Sequence, residues 1–106
     1  MNTIQHNKLV RDRIPEIIEA SGKVCVAEIL SDKAYLRMVD AKLDEELDEY
    51  HHDQNIEELA DLLEVIYAAT LARGYTLEQL EAVRAEKAAK RGTFTKKILL
   101  KEVIEK

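Results

Sequence analysis

Between Ile56 and Leu71 the chain carries apolar residues at Ile56, Leu59, Leu62, Leu63, Val65, Ile66, Tyr67, Ala68, Ala69 and Leu71. Wound as a helix, this run is apolar around almost its whole circumference, so it has to be covered on nearly every side. Its ends are marked. Asn55 stands immediately before it as a cap, with Glu58 at the acidic third helical position. Gly74, just after Arg73, permits a left-handed terminus. Whatever this chain folds into is organised around that central helix.

Two further long helices flank it. The first is expected from about Asp32 to His52, capped by Ser31 or Asp32. Leu36, Val39, Leu43, Leu47 and Tyr50 recur at spacings of three and four and define its buried stripe. The other starts at Thr76, where Gln79 completes a capping box, and ends near Arg91, before Gly92. Leu77, Leu80 and Val83 form its inner face. A shorter helix can start near Arg13, with Pro15 in its first turn and Gly22 beyond its end. The connections between the long helices are only a few residues, which favours antiparallel neighbours. The pattern predicts an all-α chain, a small antiparallel helical bundle in a single domain over residues 1–106. Lys23 to Leu30 is rich in Val, Ile and Ala without helical spacing. It reads as a short strand, with Phe94 to Val103 as candidate partner in a two-stranded β ribbon edging the bundle.

A chain of 106 residues supports one core and not two. Its two predicted neighbours are too few to cover the central helix, so another copy is expected to cover the rest, as a dimer or tetramer. Cys25 is the only cysteine. It excludes an intrachain disulfide and a zinc-binding thiolate cluster, and suits a reducing cytoplasm. No apolar run reads as a signal peptide or a membrane span, so no membrane partner is expected.

The formal charge is −5, and it is unevenly spread. Residues 40–64 hold Asp40, Asp44, Glu45, Glu46, Asp48, Glu49, Asp53, Glu57, Glu58, Asp61 and Glu64 against the single base Lys42. Bases gather at Lys8, Arg11 and Arg13, and again at Lys87, Lys90, Arg91, Lys96 and Lys97. A nucleic-acid polymer calls for a basic footprint without an acidic middle. An acidic cation site flanked by phosphate-binding groups fits the distribution better.

Glu46 and Glu49 lie three apart on one predicted helix, and Glu58 and Asp61 repeat that spacing on the next. Glu46 falls roughly 70° from the centre of the apolar stripe, at its boundary. Val65 lies between the directions of Glu58 and Asp61, so these acids share a strip with apolar residues, where an unpaired charge is costly. Antiparallel packing would let both pairs converge as hard oxygen ligands of the kind Mg²⁺ prefers. A solvated acidic face accounts for the spacing equally well. Glu58 also has a capping use; Asp61, inside an apolar helix, has none. His51 and His52 are adjacent at a helix end, where they meet the dipole, and point in different directions.

At these acids the sequence resembles the all-α nucleotide pyrophosphohydrolases, particularly the MazG-like and phosphoribosyl-ATP pyrophosphohydrolase-like group. The likeness runs through Asn7-Lys8-Leu9-Val10-Arg11-Asp12-Arg13-Ile14-Pro15, Lys42-Leu43-Asp44-Glu45-Glu46-Leu47-Asp48-Glu49 and Glu57-Glu58-Leu59-Ala60-Asp61. It ends with Glu86-Lys87 and Lys90-Arg91-Gly92-Thr93-Phe94. Each motif alone is weak; their order and combination are more specific. The resemblance implies Mg²⁺ ligands at Glu46, Glu49, Glu58 and Asp61. It also implies hydrolysis of a nucleoside triphosphate to monophosphate and pyrophosphate, in a homo-oligomer. Only eight residues separate Glu49 from Glu58, shorter than in many MazG-like proteins, which loosens substrate assignment by analogy.

On this reading Glu45 or Glu64 is the candidate base for an attacking water. Lys8, Arg11, Arg13, Lys87 and Arg91 are candidates to meet nucleotide phosphates. Tyr50, Tyr67 and Phe94 could stack on a base, although core packing is the simpler expectation. Phosphoribosyl-ATP hydrolysis, a catalytically inactive nucleotide-binding protein, and a structural helical protein are the competing readings.

Overall fold

The computed structural model describes residues 2–106. Four helices follow in order: α1 (Ile14–Ala20), α2 (Asp32–Asp53), α3 (Ile56–Ala72) and α4 (Leu77–Arg91). The all-α expectation holds, and every helix end lies within a residue or two of where capping chemistry puts it. Two compact units divide the chain, Met1–Tyr75 and Thr76–Lys106. No helix among the described residues is long and apolar enough to cross a membrane.

In the first unit Pro15 sits in the opening turn of α1, where its missing N–H costs nothing. The Ser31 hydroxyl accepts from the backbone N–H of Ala34 at 3.2 Å and caps α2. Only Gln54 and Asn55 separate α2 from α3, so the two helices fold back antiparallel and pack together. Gln54 makes the reversal with φ 53 and ψ 36, a left-handed conformation that disfavours side-chain-bearing residues. Arg73, just beyond α3, reaches Asp40 on α2 at 3.1 Å and ties the open end of the hairpin. After α3, Gly74 donates to the Leu71 carbonyl at 3.0 Å and Tyr75 to the Thr70 carbonyl at 3.1 Å. These paired bonds close the helix with glycine at the left-handed position.

The expected stripe of α2 faces α3, and Val39 at its centre is 1% exposed. Leu36, Leu43 and Tyr50 are half-buried, while Leu47 is exposed. On α3, Leu62, Val65 and Ala69 are half-buried. Ile56, Leu59, Leu63 and Ile66 remain exposed along one stripe, at the three-four-three spacing of a helix–helix seam.

The second unit opens with the expected capping box. Gln79 N–H donates to the Thr76 hydroxyl at 3.0 Å, and the Gln79 side chain accepts from Thr76 N–H at 2.8 Å. Gly92 ends α4.

The β ribbon is a correction. Neither Lys23 to Leu30 nor Phe94 to Val103 forms a strand, and no strand occurs among the described residues. Val24, Val26 and Ile29 are 92%, 97% and 100% exposed. Apolar side chains left in water give no burial to offset the entropy of ordering an extended chain, and an isolated two-stranded ribbon is marginal in any case. In the second stretch Lys97 turns back, donating to the Phe94 carbonyl at 3.3 Å with φ 59.

Candidate metal centre

The hairpin register brings acids of α2 and α3 together. Carboxylate oxygens of Glu46, Glu58 and Asp61 all lie within 4.8 Å of one another, and all three residues are half-buried. Glu46 has 13% of its side chain exposed, against 43% for Asp61. It occupies the boundary between apolar stripe and solvent that its position on the helical wheel predicts. Glu49 belongs to a second, overlapping group with Asp53 and Glu58, again within 4.8 Å of one another. Glu58 is common to both. The sequence reading of four ligands thus becomes two triads sharing one carboxylate. Asp53 was not singled out from the sequence, although it lies one helical turn after Glu49.

Local structure explains why Glu58 stands where it does. The Asn55 side chain accepts from the Glu58 backbone N–H at 2.9 Å, which starts α3 and fixes its third residue beside the end of α2. Partial burial pushes the Glu58 carboxyl above its ordinary range, and the nearby charges of Glu49, Asp53, Asp61 and Glu46 push it further the same way. A carboxylate surrounded by carboxylates favours its protonated form unless a cation compensates.

Bases meet the other acids. Arg11 Nη2 reaches Asp61 Oδ1 at 2.7 Å. Lys42 lies 3.5 Å from Glu46 and 3.3 Å from Glu45, and Lys8 lies 3.1 Å from Glu45. Burial pushes the Glu45 carboxyl up, but the hydrogen bond from Lys8 and the charge and hydrogen bond of Lys42 outweigh it, and the net shift is downward. A carboxylate held by two lysines is a poor proton acceptor. Glu64 lies on α3, three residues beyond Asp61, and is exposed.

Arg13 pairs locally with Glu16 at 2.8 Å. Lys87 and Arg91 belong to the second unit, where they line one shallow surface of α4 with Val83, Glu86 and Lys90. Of the aromatic candidates, Tyr50 and Tyr67 are half-buried, and Phe94 in the second unit is 98% exposed. His52 Nδ1 lies 2.8 Å from Asp53. That hydrogen bond and the Asp53 charge raise its pKa.

The donor set around Glu58 consists of hard carboxylate oxygens, in two triads each within 4.8 Å. Such oxygens are the donors a hard cation takes, and the set offers nothing soft for a thiophilic metal. No family model matches the chain, and no solved structure matches it. A stretch of 42 residues, 40% of this chain, is 60% identical to an uncharacterized protein of Mycolicibacterium smegmatis, and the matched region spans 43% of that protein.

Proposed function

We propose that this chain is a Mg²⁺-dependent nucleotide pyrophosphohydrolase. It would cleave the α–β phosphoanhydride of a nucleoside triphosphate or related nucleotide and release the monophosphate and pyrophosphate. The observation that carries the reading is the convergence of Glu46, Glu58 and Asp61 from two antiparallel helices. These helices hold the acidic motifs that resemble the all-α nucleotide pyrophosphohydrolases.

Glu46, Glu58 and Asp61 would hold the cation, with Glu49 and Asp53 forming the second group around the same Glu58. When bound, Mg²⁺ would polarise phosphate oxygens and lower the pKa of a coordinated water. Glu64, three residues from Asp61, is a better candidate than Glu45 to orient the attacking water and take its proton, because Lys8 and Lys42 engage Glu45. Lys8 and Arg11, which reach the acids of the hairpin, are the candidate phosphate contacts within this unit. The exposed seam of Ile56, Leu59, Leu63 and Ile66 supports self-association as a dimer or tetramer. A single free cysteine at position 25 suits the cytoplasm.

The test is product analysis with Mg²⁺ across standard, modified and phosphoribosylated nucleotides. Equal amounts of monophosphate and pyrophosphate are expected. Saturable nucleotide binding without product would favour an inactive binding protein, and neither binding nor product would leave a structural helical protein.

A further inference from the structure

The acids of the proposed site are compensated in two different ways. Lys42 and Glu46 belong to the same helix, four residues apart, and the lysine side chain is only 18% exposed. That base is carried on the same helix as its acid. Arg11 comes from outside the hairpin, fifty residues earlier in sequence than Asp61. Its side chain is 57% exposed and that of Asp61 43% exposed. Lys8, three residues before it, makes a parallel long-range contact to Glu45.

Residues 7–11 have no helix or strand of their own. Their downstream end is anchored, because Ile14 N–H donates to the Arg11 carbonyl at 3.1 Å. The backbone is therefore held at the entry to α1, while the two basic side chains reach across to the acids of α2 and α3. An exposed ion pair of this kind is weak and screened by salt. It can compensate a carboxylate and still be displaced by a doubly charged ion.

We infer that residues 7–11 form a counter-ion strap: Arg11 engages a carboxylate oxygen of Asp61, one of the three acids a divalent cation would use, and it leaves when the cation binds. This rests on the reading of Glu46, Glu58 and Asp61 as a cation site and adds a regulation to it. Cation affinity is set by competition with the protein's own arginine as well as by the acids. The strap weakens cation binding by no more than a solvent-exposed pair is worth, about two- to fivefold.

Calorimetric titration of Mg²⁺ alone into the full chain at low ionic strength tests this. Arg11→Gln should bind Mg²⁺ about two- to fivefold more tightly than the unaltered protein, with the advantage fading as salt rises. Arg73→Gln makes the same change in net charge but frees Asp40, outside the triad, and should gain less. An unchanged or weaker affinity in Arg11→Gln, or an equal gain in Arg73→Gln, overturns the strap and leaves the cation site standing. No Mg²⁺ binding by any of the three proteins overturns both. In the unaltered protein the Arg11 Nε–H resonance should shift progressively across the Mg²⁺ titration. A signal that stays fixed while Mg²⁺ binds overturns the strap without any variant having to fold.

Discussion

The Asn55 side chain accepts a hydrogen bond from the Glu58 backbone N–H at 2.9 Å, so one contact both starts α3 and fixes the backbone of the residue whose carboxylate the two acidic triads share. Folding and chemistry meet at that cap. Asn55→Ala should cost about 1 kcal/mol of stability, read from a denaturation midpoint. It should also weaken Mg²⁺-dependent turnover more than the lost stability explains, because the first turn of α3 frays with Glu58 on it. Loss of stability with unchanged Mg²⁺ dependence would separate the cap from the site.

Asp61→Asn tests the triad most directly. The substitution keeps the side-chain volume and removes a negative oxygen. It gives up the Arg11 ion pair but also relieves repulsion with Glu46 and Glu58. These effects oppose each other, so stability should stay within about 1 kcal/mol of the unaltered protein. Turnover should fall sharply, with its Mg²⁺ requirement displaced upward. Normal turnover by the folded variant at every Mg²⁺ concentration would remove Asp61 from the site.

The raised Glu58 carboxyl makes a pH prediction with a definite sign. In the window between the ordinary glutamate value of 4.5 and its higher value in the fold, the native state binds more protons than the unfolded chain. The Glu58 contribution to stability therefore falls as pH rises through that window and recovers as pH drops. Mg²⁺ favours the ionised form and should release protons on binding. Its affinity should climb with pH across the same window, and Glu58→Gln should flatten both dependences. Thermal melts with and without Mg²⁺ across pH would measure this.

Gln54 turns the α2–α3 corner in a left-handed conformation, which glycine adopts without steric cost. Gln54→Gly should raise stability by about 0.5–1 kcal/mol, since relief of the backbone strain outweighs the extra freedom of the unfolded chain. A lower denaturation midpoint would mean that the glutamine side chain contributes something the backbone geometry does not reveal.

The seam on α3 predicts an assembly. Leu63 is 45% exposed between Leu59 and Ile66, and a carboxylate there would be desolvated by any partner helix. Leu63→Glu should convert a dimer or tetramer to smaller species in light scattering, with helix content preserved. An unchanged mass would locate the association elsewhere, and a monomeric unaltered protein would remove it.

Helix identity and helix ends were legible in the sequence because capping, glycine termini and three-four apolar spacing are local signals. Ser31, Asn55, Thr76 with Gln79, Gly74 and Gly92 all act where their chemistry places them. Glu46 could be read as a boundary residue for the same reason. The proposed strands at Lys23–Leu30 and Phe94–Val103 failed because strand formation needs a partner and a covered face, neither of which residue type supplies. Only tertiary packing decided which acids meet. The two-residue reversal at Gln54 and Asn55 sets the register of α2 against α3. That register puts Glu46 with Glu58 and Asp61, and brings the same Glu58 to Glu49 and Asp53, which are one turn apart on α2. Tertiary packing also decided that Arg11 and Lys8 compensate acids instead of standing free, since contacts across fifty and thirty-seven residues of chain leave no trace in local spacing.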